Sequence, residues 1–191
     1  MKTLGIFGDS FGVETANEPY PSWVTLLRKD YNIKNYCQSG VSEYKILQQL
    51  KNVDLKTFDK ILITHTSPTR VFVKYNPLHQ DTVYHKNCDL ILSDVEAASG
   101  EFARAAQLYF KHIFDIEYAC DIHNMICSEI ADIVRAHKVI HTTHFDYSGL
   151  YKFHNMLNFH HIFLKHRGEV NHYSEIGNIL VYETLINNTA L

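Results

Sequence analysis

The sequence predicts an α/β protein, a three-layer α/β/α sandwich around a central parallel sheet of about five strands. Apolar runs of strand length alternate with amphipathic stretches of helix length along most of the chain. The clearest run, Lys60-Ile61-Leu62-Ile63-Thr64, is continuously apolar and β-branched instead of alternating, as a strand covered on both faces requires. The 191 residues, 46% hydrophobic and 20% charged, suit one domain with a full-sized core.

Thr3 to Phe7 reads as the first buried strand and ends at Gly8-Asp9-Ser10-Phe11-Gly12, a turn sequence that leads towards a helix. Pro21-Ser22 opens that helix, with Trp23, Leu26 and Leu27 on one face. Ile33 to Cys37 forms the second strand and stops before Gln38-Ser39-Gly40. Ser42 then caps a helix running to about Leu50, with Glu43 in its first turn, where a carboxylate suits the helix dipole. The third strand ends at Thr66-Ser67-Pro68. From Thr69 to about Ser93 the periodicity fails, which marks an irregular insertion.

Asp94 to Arg135 reads as mostly helical, with Phe102, Ala105, Ala106, Tyr109 and Phe110 on one face and a break expected around 116–121. Val139 to Thr143 gives a fourth strand, His160 to Leu164 a fifth, and Ile176 to Ile186 a closing helix. In a sheet of this kind ligands bind beyond the carboxyl ends of the strands. Ser10, Gly40 and Thr66 to Ser67 follow strands one, two and three, so three loops converge on one rim.

A formal charge of −3 gives no clustered cation for a nucleic-acid backbone, so no nucleic-acid partner is expected. The amino-terminal stretch fits neither a signal peptide nor a membrane span, which predicts a cytoplasmic protein without a membrane partner, or one carried in a particle. Cys37, Cys88, Cys120 and Cys127 show no CxxC pairing and read as reduced thiols. Thirteen histidines invite a metal, but strand alternation puts His141 and His144 on opposite faces, and His160 and His161 diverge likewise. No metal or other cofactor is expected.

A serine at a strand end and a later Glu169-Val170-Asn171-His172 are the parts of an acyl-transfer site. With these residues the chain resembles the SGNH, or GDSL, hydrolases from Gly8 to Gly177, in the order of that family's blocks. The resemblance implies a flavodoxin-like fold, with Ser10 as nucleophile and His172 as base. Glu169 would be the supporting acid, in place of the usual aspartate. Asn35-Tyr36-Cys37-Gln38-Ser39-Gly40 matches the second block, so the amides of Ser10 and Gly40 would hold the oxyanion. The third block departs from the family: its asparagine position falls on Pro68, which has no donor. The missing donor would then come from Thr66, Ser67 or Arg70, or be absent; Arg70 could instead hold a substrate carboxylate or sugar. The Thr-Ser-Pro-Thr-Arg sequence itself is similar to that of short hydrolases in tailed-phage genomes.

The function expected from the resemblance is hydrolysis of a carboxylic ester, an O-acetyl or other short acyl group on a carbohydrate or small molecule. Tyr75, His79, Tyr84 and His85 would stack on sugar rings. The rival readings are an O-acyltransferase, a glycan-binding or structural module on the same scaffold, and a nucleotide binder. The last is opposed by the absence of a GxGxxG or Walker sequence from the first loop.

Overall fold

A computed structural model describes residues 1–14, 19–79, 88–146, 150–168 and 172–188. Its five strands are β1 (Lys2–Gly8), β2 (Tyr31–Asn35), β3 (Lys60–His65), β4 (Val139–Thr143) and β5 (Met156–Asn158). They form one all-parallel sheet in the order β2-β1-β3-β4-β5. The order reverses beside β1, so the crevice for a ligand opens where β1 and β3 diverge into their loops.

Alternation along the strands builds two cores. Leu4 and Ile6 of β1 join Leu62 and Ile140 on one face, covered by α1 (Trp23–Leu27), α6 (His160–Lys165) and α7 (Glu175–Asn188). Phe7, Ile61 and Ile63 point the other way and meet α2 (Glu43–Lys51) and α5 (Ile116–Val134) through Ile46, Leu47, Leu50, Ile130 and Val134. The three-layer sandwich predicted above is therefore present. A helical hairpin, α3 (Leu92–Ala97) and α4 (Glu101–His112), adds a small cluster of its own around Leu90, Val95 and Ala106.

The irregular insertion is tied at its base by an antiparallel bridge between Val71 and Leu90. Asp89, fully buried, organises it: its carboxylate accepts from the amides of Ser42 (2.7 Å) and Val73 (3.1 Å) and pairs with Lys45 at 2.9 Å. Ser42 does flank α2, but through this amide and without a side-chain cap bond.

Two expectations need correction. His160 to Leu164 is helix α6, and the fifth strand is Met156–Asn158, paired with His141 to Thr143. Asn158 accepts from the His160 amide at 2.8 Å and turns the chain, and an apolar run this short fits either period. The helical region breaks at 98–100 and 113–115, not at 116–121: Asp115 caps α5 by accepting from the Tyr118 amide at 2.8 Å. Among the described residues, no helix is long and apolar enough to cross a membrane.

Candidate active site

Ser10 stands at the exit of β1, first in a short 3-10 turn, and is half-buried. The turn is held from below and from the side. Below, the wholly buried Asp9 accepts from the Phe11 amide (3.1 Å) and the Thr64 hydroxyl (3.3 Å), and its other oxygen meets Arg70 at 3.3 Å. Burial raises the Asp9 pKa; the Arg70 charge, the Phe11 amide and Thr66 oppose that shift without cancelling it. To the side, Phe11 stacks on His144 with ring centres 4.3 Å apart, and its carbonyl accepts from the Trp23 indole at 2.7 Å. Gly12 must lack a side chain, because a Cβ there would lie 2.3 Å from Cys37 Sγ.

His172 arrives from the far end of the chain. The segment after it is fastened to α1 by Asn178, which accepts from the Trp23 amide at 2.9 Å and donates to the carbonyls of Tyr173 and Ser174. Ser10 and His172 consequently line one hollow with Phe11, Ser22, Tyr173 and Asn178. The hollow is small, about 10 Å³, the room one water needs. Glu169 lies outside the described residues.

A second histidine, His144, sits behind Phe11 with Nδ1 2.5 Å from the Tyr173 hydroxyl. Burial, and secondarily the charge of His172, push its pKa down to about 3. It is therefore neutral and sealed, whereas His172 is half-buried. Of the two imidazoles around Phe11, only His172 can exchange a proton with a group in the hollow.

Gly40 occupies the rim after β2 at φ +66°, where a Cβ would lie 2.5 Å from Cys88 Sγ, so both conformation and space demand glycine. The Gln38 amide donates to the Gly8 carbonyl at 3.0 Å, which sets this loop beside the β1 exit. Arg70 clamps the two loops together: it pairs with Asp9, donates to the Val41 carbonyl at 3.0 Å and covers the Phe145 ring at 5.4 Å. Its guanidinium is thus committed to the scaffold, not held out to a substrate.

The donors expected from Thr66 and Ser67 are engaged elsewhere. The Thr66 amide donates to Glu43 Oε2 at 3.0 Å and its side chain is fully buried, so this amide does not face an oxyanion. The Ser67 hydroxyl bonds to Thr69 Oγ1 at 2.8 Å within its own turn. Tyr75 is exposed, while Tyr84, His85 and the His79 side chain lie outside the described residues.

Sequence reasoning missed a second polar group on the α2/α5 face. Glu43, 3% exposed, turns inward instead of serving the helix dipole, and its Oε1 lies 2.6 Å from His65 Nδ1. His65 Nε2 lies 2.9 Å from His141 Nδ1, and both rings stack on Phe153. Burial opposes ionisation of Glu43, but the His65 charge and hydrogen bond, the His123 charge and the Thr66 amide more than offset it, so its pKa falls. Burial, reinforced by His65, lowers that of His141 to about 2. His141 and His144 do face opposite ways, as strand alternation requires.

A hollow of about 890 Å³ is lined by Lys60, Lys138, Val139, Tyr151 and Phe153 around the amino end of β4. That is the opposite end of the parallel sheet from Ser10 and His172, and ligands of such sheets bind at the carboxyl end. No protein-family model matches the chain, and no curated protein matches it.

Proposed function

We propose that the protein is a serine esterase that cleaves a short acyl group, such as acetyl, from a carbohydrate or other hydroxylated molecule. The observation that carries this reading is the meeting of Ser10 and His172 in one hollow on the carboxyl rim of the sheet. His172 takes the Ser10 proton as the hydroxyl oxygen attacks the ester carbonyl, and the amides of Ser10 and Gly40 hold the developing oxyanion. The leaving alcohol takes that proton from His172. A water deprotonated by the same histidine then releases the acyl group and restores the serine.

The hollow beside Ser10 has the room of about one water, which leaves no space in it for a fatty chain. The Thr66 amide is spent on Glu43, and loss of one oxyanion donor costs about 10²–10³ in rate. A slow enzyme is therefore expected. The same observation favours the second reading, a scaffold of this kind that binds glycans or sits in an assembly without turnover.

A fluorophosphonate probe and acetate release from acetylated sugars and nitrophenyl acetate test the choice. Labelling of the native chain but not of Ser10→Ala, with hydrolysis lost in His172→Ala, is the expected result. A native chain that neither labels nor hydrolyses any ester of a broad panel leaves the non-catalytic reading in place.

A further inference from the structure

The geometry points to a metal site on the α2/α5 face, held by Glu43, His65, Cys127 and His123, for a divalent cation of the zinc type. Glu43, His65 and Cys127 each offer a donor atom, and these atoms lie within 4.8 Å of one another. His123 and Cys127 are four residues apart on α5, so both stand on one face of the helix. His123 interacts electrostatically with Glu43 and His65 and, with Glu43, lines a hollow of about 90 Å³.

The donor set suits the ion. Two imidazoles, a carboxylate and a thiolate are the ligand types of tetrahedral zinc, and one carboxylate with one thiolate neutralises the dication in a buried setting. All four side chains are almost wholly buried. The donors belong to three elements, α2, β3 and α5, which makes the site a product of the packed fold. With the metal on Nδ1, His65 keeps Nε2 against His141 Nδ1 at 2.9 Å, the outer contact that orients a ligating imidazole. The hollow lined by Ser42, Glu43, Tyr44, Ser67, Phe72 and His123 supplies the path of entry.

Binding replaces protons. The metal takes the place of the proton between Glu43 and His65, which departs or moves to His65 Nε2, and of the Cys127 thiol proton, which departs. The donors of a tetrahedral site with bonds of about 2.0–2.3 Å stand roughly 3.5 Å apart. The Glu43–His65 contact at 2.6 Å must open, and His123, which is not among the three donors within 4.8 Å of one another, must turn towards them. The assignment does not rest on the Ser10 chemistry.

The chelator-treated full chain titrated with Co²⁺ tests the assignment. One Co²⁺ per chain is expected, with intense tetrahedral visible bands and a thiolate-to-cobalt charge-transfer band, all bleached by one equivalent of Zn²⁺. Cys127→Ser removes the charge-transfer band, and His141→Phe weakens affinity by about 10–100-fold while leaving the band in place. If Cys127→Ser fails to fold, Glu43→Gln keeps the buried shape and still loses affinity. No uptake by the native chain, weak octahedral bands, or a charge-transfer band that survives Cys127→Ser overturns the site.

Discussion

The two faces of one sheet carry similar residues to opposite ends. On the α1/α7 face Ser10 and His172 are half-buried and border a hollow, whereas on the α2/α5 face Glu43, His65 and His141 are sealed and hydrogen-bonded to each other. Chemistry on a substrate needs a group open to what enters the site, and Ser10 and His172 are the more open of the two sets. A sealed polar group instead holds elements together, because breaking it leaves a buried charge without compensation.

Truncation on each face breaks this comparison most directly. Ser10→Ala is expected to lower esterase activity by about 10³-fold or more and to change stability by at most about 0.5 kcal/mol. Glu43→Ala, which strands His65 and the Thr66 amide, is expected to cost about 3–5 kcal/mol in urea denaturation. Equal stability losses in the two variants would erase the distinction.

The foundation of the Ser10 face is itself sealed. Arg70→Met leaves the buried Asp9 without its cation and is expected to destabilise by about 3–5 kcal/mol near neutral pH. Asp9 already prefers its neutral form more than an unfolded aspartate does, so it opposes folding as pH rises above the unfolded value of 3.8. Without Arg70 its folded pKa rises further, and the deficit of the variant should shrink as pH is lowered. A deficit independent of pH would place the effect in lost packing.

His144 sharpens the contrast through pH. Its folded pKa of about 3 lies below the ordinary 6.5, so its contribution is complete above pH 6.5 and is lost progressively as pH falls towards 3. Between pH 7 and pH 5 this amounts to about 2 kcal/mol. His144→Gln, which keeps a partner for the Tyr173 hydroxyl, should flatten the acid limb of the stability curve by that amount.

The smallest effect is expected on the outer surface of the same two helices that enclose Glu43. Lys51 and Glu129 form a 3.0 Å pair between α2 and α5 with both side chains nearly half exposed. Lys51→Ala should change stability by at most about 1 kcal/mol. A larger loss would mean that pairing between these helices, and not burial, sets their worth.

Ser10, Gly40 and His172 were legible because each is announced locally, by a strand end, a turn glycine and the approach to a helix. Glu43 was not, since a carboxylate in a first helical turn already has an ordinary explanation. His123 and Cys127 share one face of α5, but the sequence alone does not bring Glu43 and His65 against that face. Thr66 and Arg70 were legible as rim residues, while their commitments to Glu43 and Asp9 were not.

By itself the sequence determined the alternation of elements, the parallel sheet and the convergence of three loops on one rim, because hydrophobic period and turn chemistry are local properties. The tertiary structure alone decided the strand order, the identity of the last strand and the partners of every buried polar side chain. Those depend on which residues of distant elements stand opposite one another, and that opposition exists only once the layers have packed.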